Sequence, residues 1–224
     1  MSFSSRADFP ISRVAIPLQS GRARDTLGRV RILGIDPGLR LTGYGVIDYE
    51  PTRPALVDGG VIRLKEKTSI ADRLVELERE LEQLFEEHRP EVCAVEQLYS
   101  NYAHPRTAIL MGHARGVILL VARRRGASVE QFAANRIKQS LTGHGHASKE
   151  HMQRAIQATW NLKAPPEPPD VADALAVALC CGQMLSGVRA IAAPPKRKQS
   201  QRAALAALVE HAARDLARVD AGKR

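Results

Sequence analysis

The chain has 224 residues, a net charge of +9 and a pI near 9.9, enough for one ordinary domain with its own core and some chain to spare. Three cysteines without CxxC spacing, each among apolar residues, exclude a disulfide-stapled secreted module and a cysteine-bound zinc site. The basic balance favours a polyanionic partner, and no apolar run in the sequence approaches the length that spans a bilayer.

Residues 1–29 show no hydrophobic period and carry five Arg against two Asp. They lack the apolar core of a secretory signal and are Arg- and Ser-rich, as transit peptides are. The expectation is a disordered or non-native extension, with the folded domain running over 30–187. A buried strand is predicted at 30–36, a turn at 39–43, and further strands at 44–49 and 56–64. Ile70, Leu74, Leu77, Leu81, Leu84 and Phe85 recur at helical spacing in an acidic stretch, so 69–88 is an amphipathic helix. A strand at 92–96, a helix at 107–125 and a strand at 128–132 follow. Helices are predicted at 134–142, 149–160 and 170–186, the last entered through the stiff Ala164-Pro165-Pro166-Glu167-Pro168-Pro169 connector. Three strands in succession, then alternating helix and strand, specify an α/β fold: a mixed five-stranded sheet with helices on both faces. Residues 188–224 read as a basic tail that adds salt-sensitive, non-specific affinity for nucleic acid.

The excess charge lies in the flanks. Residues 30–184 hold 19 basic and 19 acidic residues, yet 66–96 is net −6 and 97–163 is net +8. A neutral domain polarised in this way can still orient a nucleic acid, with the strand lying on the 97–163 side.

Four acids in three places carry the chemistry. Asp36 ends the first strand and precedes Pro37-Gly38, a turn that permits close approach of a phosphate; alone, it reads equally well as a turn cap. Glu96 ends the strand 92–96, and two adjacent parallel strands would bring both acids to the edge where ligands of open α/β sheets gather. Asp170 and Asp173 are i and i+3 in the first turn of the last helix, where the dipole favours anions. Helix capping accounts for Asp170 but not for Asp173 among Val171, Ala172, Ala174 and Leu175. Buried carboxylates need a cation or a donor. Four together suggest two divalent ions about 3.5–4 Å apart, Mg²⁺ or Mn²⁺ by the all-oxygen donor set, and hydrolysis at phosphate.

The stretch Gly34-Ile35-Asp36-Pro37-Gly38-Leu39-Arg40-Leu41-Thr42-Gly43-Tyr44-Gly45-Val46-Ile47 resembles the opening of the RuvC Holliday-junction resolvases (crossover junction endodeoxyribonucleases). Ala94-Val95-Glu96-Gln97, Gly112-His113-Ala114-Arg115-Gly116, Ile137-Lys138-Gln139 and Asp170-Val171-Ala172-Asp173-Ala174-Leu175-Ala176 follow in that family's order and spacing. The resemblance implies a ribonuclease H-like fold, a symmetric homodimer and a cytoplasmic enzyme. Its implied activity is paired, Mg²⁺-dependent nicking of four-way junction DNA in recombination and repair, alongside the RuvA and RuvB branch-migration proteins. It implies Asp36, Glu96, Asp170 and Asp173 as catalytic acids and metal ligands for two Mg²⁺ per subunit, with Mn²⁺ able to substitute. Asp36 would share both ions, Glu96 would help hold one and orient the water, and Asp170 and Asp173 would complete the other. It also implies Tyr99 as a DNA-binding aromatic able to stack on an unpaired base, and Lys138 and Lys149 as DNA-binding cations at the phosphates. Residues 107–121 of the second helix, apolar on too many faces for a singly buried helix, are together with the resemblance the expected dimer contact, the alternative being a central helix packed within one subunit.

Two other classes compete. An actin-like nucleotide-binding fold also begins with a strand and an Asp-bearing glycine turn, but needs a second repeated domain and far more chain. A non-catalytic junction-binding protein of the same fold would not need all four acids. His144, His146 and His151 read as solvated loop histidines, and Arg123-Arg124-Arg125 as a helix-end cap.

Overall fold

Alternation of apolar residues along 30–36 sorts the core into two layers. In a computed structural model, which describes residues 12–13, 29–38, 40–65, 67–98 and 105–192, Ile32 faces one layer while Leu33 and Ile35 face the other, as period-two side chains must. The strands are β1 (Ser12–Arg13), β2 (Val30–Asp36), β3 (Leu41–Tyr49), β4 (Ala55–Arg63), β5 (Val92–Glu96) and β6 (Ser128–Phe132). The helices are α1 (Ile70–His88), α2 (Pro105–Arg124), α3 (Ala134–Thr142), α4 (Lys149–Thr159) and α5 (Pro169–Ala192).

The sheet order is β1-β4-β3-β2-β5-β6. β2, β3 and β4 form an antiparallel meander, and β5 and β6 add in parallel beyond β2. This is the expected mixed five-stranded, ribonuclease H-like α/β sheet, with one addition: the two-residue β1 pairs antiparallel with β4. Residues 1–11 and 14–28, and with them most of the expected N-terminal extension, lie outside the described residues. Met1–Ser186 forms one compact unit and Gly187–Arg224 a second; in the second, only 187–192 is described, as helix.

β3 begins at Leu41, three residues earlier than the pattern predicts. Gly43 looks like turn chemistry, yet it pairs with Asp36 within the ladder. The turn is shorter, and Thr42 braces it: its Oγ1 donates to the Gly38 carbonyl at 2.7 Å and accepts from the Gly38 amide at 3.3 Å.

α1 starts where Ser69 accepts a hydrogen bond from the Asp72 amide, and stops at Arg89, which has left-handed φ and donates its amide to the Phe85 carbonyl. Its Leu77, Leu81, Leu84 and Phe85 pack with Ala114, Ile118 and Val121 of α2 on one face of the sheet. α3, α4 and α5 cover the other. The Arg123-Arg124-Arg125 run is not simply solvated: Arg124 and Arg125 pair with Glu78 and Glu82 of α1, so part of the positive excess in 97–163 is matched by the acidic helix.

α5 corrects the reading that nothing here is long and apolar enough for a bilayer. Pro169–Gly187 meets that test by length and composition. Its apolarity has another cause: Val171, Ala172 and the run from Ala174 to Cys181 are buried on the sheet, as expected of a helix enclosed by its own fold.

Candidate active site

β2 and β5 are parallel neighbours, with Ile35 opposite Val95. Their terminal acids, Asp36 and Glu96, therefore emerge side by side at one edge, on the face covered by α5. This matches the sequence expectation.

α5 brings the other two acids, and three glycines make room for it. Gly34 and Gly45 are paired across β2 and β3, and Gly43 is paired with Asp36. A Cβ at Gly34 would stand 2.2 Å from the Ala174 carbonyl oxygen, one at Gly43 2.1 Å from the Asp170 carbonyl oxygen, and one at Gly45 2.5 Å from the Leu175 side chain. All three are closer than real Cβ contacts permit. The bare backbone is a ledge on which the first two turns of α5 rest, and this closeness sets Asp170 and Asp173 above the end of β2. The signal for the ledge was present as glycines inside strand patterns, but their helix partner is remote in sequence.

The acids act on one another. Burial, then repulsion from Glu96, Asp173 and Asp170, pushes the Asp36 carboxyl up to about 7, against a smaller lowering by Lys149. Burial and Asp173 raise Glu96, opposed by Lys138. Burial raises Asp173, opposed first by Lys149 and also by Lys138. Asp36, Glu96 and Asp173, crowded out of water, thus hold their protons more tightly than in solvent.

The two predicted lysines flank this group. Lys149 opens α4 behind the Ser148 cap, and its Nζ lies 3.3 Å from Asp173 Oδ2. Lys138 comes from α3. Together with Glu96 and Asp173 they line a cleft of about 240 Å³, floored by Ile137 and Met152. Asp36 and Asp170 do not line the cleft; their place in the constellation rests on their electrostatic contact with the other acids. Tyr99, with the rest of 99–104, lies outside the described residues. His144, His146 and His151 are exposed.

An all-oxygen donor set from β2, β5 and α5 suits a hard divalent cation better than zinc. Among the described residues, no three His, Cys, Asp or Glu side chains already form a coordination cage. The observation that favours a cation is electrostatic: the four acids have two nearby lysines, one of them exposed, to offset their charge.

The family profile for crossover junction endodeoxyribonuclease RuvC matches residues 32–181. The crossover junction endodeoxyribonuclease RuvC of Rhodopirellula baltica is 48% identical over 149 residues, covering 66% of this chain and 84% of that protein. The RuvC of Ruminiclostridium cellulolyticum is 42% identical over 151 residues, covering 67% and 90%. Among solved structures, Thermus thermophilus RuvC in complex with Holliday junction substrate is similar at TM-score 0.65 and 30% identity, covering 70% of this chain and 96% of that one. The yeast mitochondrial Holliday junction resolvase Ydc2 shares the fold, at TM-score 0.52 and 17% identity. The chain belongs to the RuvC family of crossover junction endodeoxyribonucleases and is a nuclease of that family.

Proposed function

We propose that this protein resolves four-way DNA junctions by symmetric paired nicking, in recombination and repair in the cytoplasm. The observation that carries the reading is the gathering of Asp36, Glu96, Asp170 and Asp173 from three elements, strongly enough to push Asp36 up to about 7. Such a group serves phosphate chemistry at a sheet edge better than it serves stability.

Asp36, Glu96, Asp170 and Asp173 would hold two Mg²⁺ ions, or Mn²⁺ in their place, which when bound supply Lewis-acid stabilisation of the phosphate and an activated water. The chain's own residues do the rest. Lys138 and Lys149 hold phosphate oxygens at the cleft, Lys149 from the first turn of α4 where backbone amides add to the attraction. Glu96 orients the attacking water. Ile137 and Met152 add apolar lining to the cleft, which lowers the local dielectric beside the charged groups. Tyr99 stacks on a base unpaired at the branch.

A second copy of the chain is the expected partner through α2. Ile109 and Leu120 are 61% and 49% exposed, and Gly112 and Gly116 between them face open space. The spacing places all four on one helical stripe, and a two-fold dimer would offer two sites to a two-fold junction. RuvA and RuvB are the further partners that family membership points to.

The deciding experiment is nicking of a synthetic immobile junction with Mg²⁺ and mapped cut sites. Symmetric cuts by the wild type, abolished in Asp36→Asn, are expected. Binding without cutting would reject the enzyme reading in favour of a non-catalytic junction binder.

A further inference from the structure

We infer that Arg115 is a positioning residue for Glu96, a role that rests on the nuclease reading above. Arg115 belongs to the Gly112-His113-Ala114-Arg115-Gly116 stretch of α2. Its neighbours divide cleanly. Ala114 and Ile118 are fully buried against the sheet, while Gly112 and Gly116 have nothing near them.

The half-buried Arg115 turns towards the sheet. Its Nε donates to the Glu96 carbonyl at 3.5 Å, and its Nη2 donates to Gln131 Oε1. Glu96 is the last residue of β5, and Gln131 is the penultimate residue of β6; Val95 pairs with Gln131 and Glu96 with Phe132. One guanidinium therefore spans both parallel strands at the point where their ladder ends. The Gln97 amide, donating to the Phe132 carbonyl at 2.9 Å, is the next backbone link.

The contact to the Glu96 carbonyl is long for a hydrogen bond and adds little stability by itself. The planar, always-charged fork suits a positioning role: it can hold two acceptors in a fixed relation, which a lysine ammonium cannot. The Glu96 carboxylate lies on the α5 side of the sheet, whereas Arg115 reaches the same residue from the α2 side. Arg115 does not line the cleft and acts through the backbone beneath the carboxylate.

The test compares Arg115→Met, Arg115→Lys and Gln131→Ala with the wild type. Junction affinity is measured without divalent cation, cutting under single-turnover conditions across a Mg²⁺ titration, and amide exchange at Gln97. The expected result is affinity within about twofold, a cutting rate about tenfold lower in Arg115→Met, partial rescue in Arg115→Lys, a smaller loss in Gln131→Ala, and a higher Mg²⁺ requirement. The Gln97 amide should exchange faster in Arg115→Met, with Cys93 unchanged. Rates within twofold of wild type and unchanged exchange would overturn the inference. So would weakened affinity with a normal rate at saturation, which marks a DNA contact. If Arg115→Met fails to fold, Arg115→Lys and the exposed Gln131→Ala decide. A wild type that never cuts overturns the nuclease reading instead, and Gln97 exchange still decides the clamp.

Discussion

Lys149 Nζ and Asp173 Oδ2 stand 3.3 Å apart, an ion pair that joins the start of α4 to the first turn of α5. Lys149 also lowers Asp36. Its removal therefore pushes both carboxyls further up, and less of each is ionised at a given pH. For Lys149→Met the pH of half-maximal cutting should move upward, and the single-turnover rate should fall by about ten- to a hundredfold as a phosphate contact is lost. Lys149→Arg should keep the wild-type midpoint. Lys149 is exposed, so thermal stability should change by no more than about 0.5 kcal/mol. A pH–rate profile of the three proteins checks this, and an unmoved midpoint in Lys149→Met would count against the pairing.

Asp36 gives the clearest stability prediction. Its carboxyl is pushed from an ordinary value of 3.8 to about 7. Between those values the native protein keeps a proton that the unfolded chain has released. Stability is therefore fully present at low pH, falls as pH rises through that window, and levels off above 7. The span corresponds to on the order of 4 kcal/mol for one group. Asp36→Asn is neutral throughout and loses this slope. Without divalent cation the variant should melt higher than wild type at about pH 8, with the gap closing towards pH 4. Mg²⁺ should stabilise the wild type and not the variant. Thermal melts across pH settle it; a variant less stable than wild type at alkaline pH would refute the crowding of the acids.

Much of this arrangement was legible in the chain. The strand alternation, the amphipathic α1 and the acids at two strand ends are local patterns, and adjacency of parallel strands turned the last of them into a site. Long-range partners were not legible. Gly43 read as turn chemistry because nothing local reveals that Asp170 will lie on it. The arginines at the end of α2 read as a cap because the partners of Arg124 and Arg125, Glu78 and Glu82, belong to another helix. The length of α5 read as shorter and less membrane-like than it is, because apolar composition alone does not tell a core helix from a spanning one.

The glycine ledge should tolerate no side chain. Gly34→Ala sets a methyl against backbone atoms of Ala174 and Ala178, 2.2 and 2.8 Å away, and Gly43→Ala does the same at Asp170. Backbone cannot swing aside as a side chain can, so α5 must lift. Each change should cost about 1–3 kcal/mol or more and, by displacing Asp170 and Asp173, lower cutting about a hundredfold. Gly112→Ala, with nothing within 4 Å, should instead leave the fold intact or stabilise it by up to about 1 kcal/mol through helix propensity. Denaturant unfolding alongside cutting rates separates these outcomes; a ledge alanine with wild-type rate would show that α5 does not depend on the close approach.

The exposed stripe on α2 predicts an assembly defect that leaves the site itself intact. Ile109→Glu places a charge on a residue 61% exposed in the single subunit, where it costs the isolated fold little. In a two-fold dimer the same charge meets its symmetry copy and is desolvated, which should weaken association by at least about thirtyfold, the scale of a hot-spot loss. Leu120→Glu should act in the same direction. Sedimentation should show monomers at concentrations where the wild type is dimeric. On an immobile junction the variants should make single, uncoordinated nicks, because two cuts in opposed strands need two sites held together. Paired nicking by a demonstrably monomeric Ile109→Glu protein would place the subunit contact elsewhere.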